Sequence, residues 1–251
     1  MTAQQNKSKM VSEGIELYFV LLDAYDPSAT LDLCEATLSR DETSRAEGFV
    51  LECQRRQYIF AHGLLRLALS DCVPEIEPSH WCFAADRYGR SFITAPAMAR
   101  NAYFSLSHTE GCVTCVVSNC ESVGVDVERV QERGALWDVV QSAFSADEIK
   151  ALRGLPPGAF VDRFFDYWTL KEAYLKARGR GFSLALDQFS ILMTSDQIAL
   201  KSTPGMNDDA ARWHFTKMSP SANHRLAIAD GSGAVGGLPI VVRHWPLARM
   251  I

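Results

Sequence analysis

The sequence predicts an α+β protein of two pseudo-symmetric halves, each a long helix packed on a small antiparallel sheet. Three observations carry that expectation. Leu38-Ser-Arg-Asp-Glu42 recurs as Phe144-Ser-Ala-Asp-Glu148, with Ser39 and Ser145 separated by 106 positions; a long aromatic and basic helical stretch follows each copy; and a short apolar strand precedes each. A single such likeness between amphipathic helices would be chance. Several in the same order at similar offsets point to duplication, dividing the chain into residues 1–119 and 120–251 with a joint near residues 118–121.

The first half opens on a strand, Glu16-Leu-Tyr-Phe-Val-Leu-Leu22. Ser39 with Glu42 three residues on is a capping box, in which each side chain takes an orphan backbone N–H, so a helix starts there. Residues 55–71 form the long helix, and His62 on it reads as a packed or capping residue. Phe83-Ala-Ala-Asp86 opens a strand region, and Arg87-Tyr-Gly-Arg90 is a turn carrying two guanidiniums. In Asn101-Ala-Tyr-Phe-Ser-Leu-Ser-His-Thr-Glu-Gly111, Ser107 and His108 end a strand, where side chains can offer donors to an anion. Cys112-Val-Thr-Cys-Val-Val117 is a further strand. Its two cysteines point to opposite faces, and with no second pair they read as buried thiols.

The second half opens on Ser122-Val-Gly-Val-Asp-Val-Glu128, where alternation puts Gly124, Asp126 and Glu128 on one face. The second capping box, Ser145 with Glu148, leads into a long helix over residues 161–177. Arg66 and Lys176 match across the repeat at an offset of 110. A strand region opens at residues 182–187. Gly231-Ser-Gly-Ala-Val-Gly236 spells G-x-G-x-x-G, but a dinucleotide fingerprint must open a helix and here a strand-like run follows. The segment reads as a hairpin connection between strands at 225–229 and 237–242. Trp81, Trp137, Trp213 and Trp245 read as core or interface.

Composition sets outer bounds. With 251 residues, 25 Lys+Arg and 30 Asp+Glu, the net charge of −5 argues against nucleic-acid binding by bulk positive charge. A 47% hydrophobic content supplies a core and excludes disorder for most of the chain. Residues 1–10 lack an apolar signal-peptide core, and no run is long and apolar enough to span a membrane. Seven cysteines without the dense spacing of a disulfide framework point to a reducing cytoplasm.

The chemistry gathers on the second half. Glu172 and Lys176 are four apart and share a helix face; as a surface pair they would contribute only about 0.2–0.5 kcal/mol. If that helix faces the Asp126/Glu128 strand, three carboxylates converge, a donor set suited to Mg²⁺ with waters and substrate phosphate completing the shell. Lys171, about 100° round the helix from Glu172, faces elsewhere.

These segments resemble the surfactin-synthetase-type 4′-phosphopantetheinyl transferases. The matching runs are Tyr88-Gly-Arg-Ser-Phe-Ile93, Phe104-Ser-Leu-Ser-His108, Val123-Gly-Val-Asp-Val-Glu128, and the long Phe165-Asp-Tyr-Trp-Thr-Leu-Lys-Glu-Ala-Tyr-Leu-Lys-Ala-Arg-Gly-Arg-Gly181. The resemblance covers about residues 15–195. It implies that family's fold and its reaction: transfer of the phosphopantetheine arm of coenzyme A to a serine of an apo acyl, peptidyl or aryl carrier protein, dependent on Mg²⁺ and releasing adenosine 3′,5′-bisphosphate. By the match, Asp126, Glu128 and Glu172 bind the metal, Glu172 or a metal-bound hydroxide accepts the serine proton, and Lys176 neutralises the departing phosphate. Arg45, Arg56, Arg90, Ser107 and His108 fall on positions that hold coenzyme A, chiefly its 3′-phosphate. Glu42 stands where relatives often carry a base. The carrier is expected to dock near residues 138–157 and 176–180, and the protein to be a cytoplasmic monomer of fatty-acid, polyketide or peptide biosynthesis. Two rivals stand beside this reading: a binding module without transfer, and a Mg²⁺-dependent pyrophosphatase or phosphodiesterase.

Overall fold

The structure is a computed structural model, and it describes residues 13–22, 27–99, 101–132, 134, 136–179, 184–203, 206 and 208–243. Residues 1–10, Arg180, Gly181, residues 182–183 and Trp245, all used in the sequence reading, lie outside them.

In the first half, β1 (Ile15–Leu21) is followed by α1 (Pro27–Glu35), α2 (Arg40–Glu47) and the long α3 (Glu52–Cys72). The hairpin β2 (Cys82–Ala85) and β3 (Ser91–Ala95) precedes β4 (Tyr103–Thr109) and β5 (Cys112–Ser118). The second half runs β6 (Val123–Arg129), α4 (Leu136–Ala143), α5 (Ala146–Arg153), the long α6 (Phe160–Arg178), the hairpin β7 (Phe189–Met193) and β8 (Ile198–Ser202), then β9 (His214–Met218), β10 (His224–Asp230) and β11 (Ile240–Arg243). Both capping boxes form: Ser39 and Ser145 each accept the backbone N–H of the glutamate three residues on, and Glu42 and Glu148 return the bond.

The core lies between four layers. One apolar cluster joins α3 to the sheet β11-β1-β5-β4. A second joins α6, α4 and α5 to the sheet β6-β10-β9 and the β7–β8 hairpin. The third, with Ile15, Leu17, Cys112, Val116, Val125, Val127 and Ile228, is where the two sheets pack face to face. Strict alternation along β5 therefore sends Cys112 into the layer between the sheets and Cys115 under α3, both fully buried, as the spacing predicted.

Two connections differ from the expectation. Residues 231–239 do not close a hairpin: β11 leaves the second sheet and pairs in parallel with β1, so the last described strand covers an edge of the first sheet. An uncovered β1 edge would leave its N–H and C=O groups unpaired. The second difference is in the repeat. The cation equivalent to Arg66 is Lys171, not Lys176. Arg66 sits 2.8 Å from Glu42 and donates to the carbonyls of Pro78 and Trp81; Lys171 sits 2.7 Å from Glu148 and donates to the carbonyl of Phe189. Each capping-box acid thus takes one buried cation from the long helix behind it, which also holds the chain entering the next hairpin.

Candidate active site

A glycine on β6 sets the site's geometry. A Cβ at Gly124 would lie 2.1 Å from the Ala173 carbonyl oxygen and 2.6 Å from the Ala177 nitrogen, so only glycine lets α6 rest directly on the strand. Ala173 and Ala177 carry that contact. One step along the helix surface, Glu172 and Lys176 are brought over the acidic face of β6.

There Lys176 Nζ donates to Asp126 Oδ1 at 2.7 Å, with the Lys176 side chain 31% exposed and that of Asp126 6%. Ser107 donates to the same Oδ1 at 2.8 Å. Asp126 Oδ2 is buried without a hydrogen-bond partner among the described residues. Glu128 Oε2 accepts from Thr109 at 3.3 Å. Burial first, then the Asp126 charge, push the Glu128 carboxyl up to about 7, against the opposing Thr109 bond and Lys176. Glu172 is raised for the same two reasons, opposed by Lys176. The three carboxylates therefore repel one another across one small space, as the shared-face argument predicted.

The sequence expectation of a divalent cation can be tested on these groups. Among the described residues no three His, Cys, Asp or Glu side chains are gathered closely enough to form a metal cage. Mg²⁺ does not need one, because it keeps several waters and commonly takes one or two carboxylates together with substrate phosphates. The unsatisfied Oδ2 and the all-oxygen donors fit a hard cation, which would also relieve the burial and the Asp126 charge that raise Glu128 and Glu172.

Beside this face lies a cavity of about 380 Å³ between the halves. Glu172, Lys176 and Gly179 of the α6 side and Tyr88, Arg90, Phe104 and Leu106 of the first half line it, with Glu42 and His62 also on its wall. Arg90 bridges the halves: its Nη2 donates to the Glu121 carbonyl at 2.5 Å, and its side chain lies against Gly179. Gly179 caps α6 in the left-handed region at φ +62, its N–H donating to the Lys176 carbonyl, and a Cβ there would lie 2.5 Å from the Arg90 guanidinium. His108 shares the Leu106 side of β4, and desolvation of its ring first, then Lys176 and His62, hold it below the ordinary histidine range.

The structure thus brings together Asp126, Glu128, Glu172, Lys176, Ser107 and, across the cavity, Arg90, with His108 near enough for Lys176, His62 and Asp126 to act on its ring. Arg45 and Arg56 stand outside the cavity wall; Arg45 is exposed, its guanidinium 5.7 Å from the Tyr58 ring centre. Glu42 accepts from Arg66 and contacts His62 at 3.1 Å; burial pushes its carboxyl up, but His62, the Ser39 N–H and Arg66 outweigh that and hold it at about 2. His62, read from sequence as packed or capping, packs its ring 4.1 Å from that of Tyr58 and also lines the cavity.

Sequence reasoning missed how the halves are stitched. Ser105, Ser107 and Thr109 of β4 accept the backbone N–H groups of Val125, Val127 and Arg129 at 3.1, 3.3 and 3.2 Å. The constant offset of 20 means the two edge strands run side by side in the same direction. Side-chain hydroxyls stand in for the carbonyls a paired strand would offer, each contributing about 0.5–1.5 kcal/mol. The visible signal was the hydroxyl alternation Ser105-Leu-Ser107-His-Thr109.

Residues 122–229 match the model of the 4′-phosphopantetheinyl transferase superfamily. The chain is 30% identical over 220 residues to the 4′-phosphopantetheinyl transferase HetI of Nostoc, covering 88% of this chain and 89% of that protein. It is 26% identical over 182 residues to a 4′-phosphopantetheinyl transferase of Bacillus subtilis, covering 72% and 78%. A holo-(acyl-carrier-protein) synthase of Bacillus anthracis, crystallised in complex with CoA (3′,5′-ADP), is similar over 43% of this chain and 91% of that one, at 17% identity and a TM-score of 0.35.

Proposed function

The chain belongs to the 4′-phosphopantetheinyl transferase superfamily, and we propose that it transfers the phosphopantetheine arm of coenzyme A to a serine hydroxyl of an apo acyl, peptidyl or aryl carrier protein, releasing adenosine 3′,5′-bisphosphate. One observation supports the reading above the rest: Glu172 and Lys176 of α6 meet the buried Asp126 of β6 at the wall of the cavity between the halves. A pure binding module has no use for three mutually repelling carboxylates.

In this reading the diphosphate of coenzyme A lies along Lys176, and Arg90 and His108 take the 3′-phosphate. Arg45 and Arg56 are read as further coenzyme contacts from the first half. The serine oxygen forms a bond to the phosphorus that bears pantetheine, the bond from that phosphorus to the adenosine bisphosphate breaks, and the serine proton passes to Glu172. Glu172 lines the cavity beside Lys176, which places its carboxylate where an incoming hydroxyl would shed its proton. Lys176 is only partly exposed and reaches Asp126 now, so a short side-chain swing brings its charge to the departing phosphate. Asp126, Glu128 and Glu172 would hold Mg²⁺, which when bound supplies charge stabilisation for the diphosphate. We place the carrier against residues 138–157 and the last turn of α6, where Trp137 is 37% exposed. The two halves, residues 1–119 and 120–251, are read as a duplicated unit acting as one monomer, with the coenzyme phosphate on the first and the acids on the second.

The test is incubation with coenzyme A, Mg²⁺ and an apo carrier protein, followed by intact mass. A carrier heavier by one phosphopantetheine supports transfer. Bisphosphate released without a carrier gives hydrolysis instead, and neither product gives binding alone.

A further inference from the structure

The resemblance assigns Ser107 to the coenzyme's 3′-phosphate, but its hydroxyl is otherwise engaged. A serine hydroxyl has one proton to give, and a phosphate oxygen needs a donor. That proton goes to Asp126 Oδ1 at 2.8 Å, while the Val127 N–H donates to the Ser107 hydroxyl oxygen at 3.3 Å; Ser107 as a whole is only 7% exposed. With Lys176 also on Oδ1 at 2.7 Å, that carboxylate oxygen holds two donors and the other, Oδ2, holds none. The asymmetry is built by the fold, because the Val127 N–H fixes the hydroxyl and the hydroxyl fixes the carboxylate plane.

Resting on the transferase reading, we infer that Ser107 is a positioning residue for Asp126: it crosses from the first half to lock the carboxylate so that Oδ2 alone is presented to the divalent cation. This is the arrangement by which an outer-shell hydrogen bond orients a metal ligand, and the loss of such a partner typically lowers metal affinity by about 10–100-fold. Ser105 supplies an internal control. It accepts the Val125 N–H at 3.1 Å, the same kind of stitch, but bonds no site carboxylate among the described residues.

The experiment uses the full chain with coenzyme A bound and measures two quantities: equilibrium Mn²⁺ binding, read from the free-ion electron paramagnetic resonance signal, and the Mg²⁺ concentration for half-maximal transfer. Ser107→Ala should weaken Mn²⁺ binding and raise the Mg²⁺ requirement about 10-fold or more, while KM for coenzyme A and the preference over dephospho-coenzyme A stay as in the wild type. Ser107→Thr, which keeps the hydroxyl, should restore metal binding, and Ser105→Ala should leave it unchanged while losing a comparable stitch. Unaltered Mn²⁺ binding in Ser107→Ala overturns the inference. So does a rise in KM confined to coenzyme A with its 3′-phosphate, and so does an equal loss of metal binding in Ser105→Ala. If the wild type binds Mn²⁺ but transfers nothing, the transferase reading fails, and the binding arm still scores Ser107.

Discussion

Gly124→Ala puts a methyl group where α6 now touches β6. The new Cβ would start 2.1 Å from the Ala173 carbonyl oxygen, 2.6 Å from the Ala177 nitrogen and 3.1 Å from its Cα. Reaching ordinary contact at 3.4 Å requires the helix backbone to retreat by about 1.3 Å, the difference between 3.4 and 2.1 Å. Helix backbone cannot swing aside as a side-chain end can, so the cost lies at or above the upper end of overpacking, about 3 kcal/mol. In a chain of this size that lowers Tm by about 6–12 °C. The same retreat carries Lys176 away from Asp126, now 2.7 Å apart, and misplaces Glu172 by a distance that can cost about 100-fold in rate. Circular-dichroism melts give the first quantity and mass-detected transfer to an apo carrier at a temperature well below Tm gives the second. Gly154→Ala is the control, because its Cβ meets nothing closer than 3.6 Å at an ordinary φ of −82. A Gly124→Ala protein that melts and turns over like the wild type would refute the argument that this glycine sets the distance between helix and strand.

Lys171→Met strips the ammonium from Glu148, whose side chain is fully buried, and should cost about 3–5 kcal/mol by denaturant titration; a loss below about 1 kcal/mol would mean that the pair behaves like a surface one. Glu172→Ala should keep the melt of the wild type and lower kcat by about 100-fold or more, the scale of a positioned proton acceptor; near-normal turnover removes Glu172 from the reaction. His108→Ala should raise KM for coenzyme A and affect dephospho-coenzyme A little, and equal losses on both would contradict its 3′-phosphate role. In metal-free buffer Glu128 keeps its proton in the fold up to about 7, while the unfolded chain loses it near 4.5. Between those values the folded state binds the extra proton, so this group's contribution to stability falls as pH rises. Glu128→Gln cannot ionise and should flatten that decline and raise Tm at pH 8 by a few degrees; an unchanged pH slope would show that Glu128 is not strained.

Much of the site could be read from local pattern. Period-two alternation put Asp126 and Glu128 on one face of β6, a spacing of four put Glu172 and Lys176 on one face of α6, and the capping boxes marked both helix starts. The same reasoning turned Lys171 away from Glu172, and the structure pairs it with Glu148 on the far side. These are short-range consequences of 3.6 residues per turn and a two-residue pleat, which any window of the chain contains.

What local pattern could not supply was which edges and faces meet. That β11 returns to β1, that the Ser105, Ser107 and Thr109 hydroxyls take the N–H groups of β6, and that Ser107 thereby gives its proton to Asp126 all depend on how four layers stack. Which side chains share the cavity wall was equally a matter of packing, and Glu42, His62 and Arg90 came onto it from three separate segments. The amino-acid sequence by itself determined the elements and the faces their side chains share, because those follow from backbone geometry over a few residues. Only the tertiary structure decided the hydrogen-bond partners across the halves, because a hydroxyl or a guanidinium has many equally good partners until packing leaves one within reach.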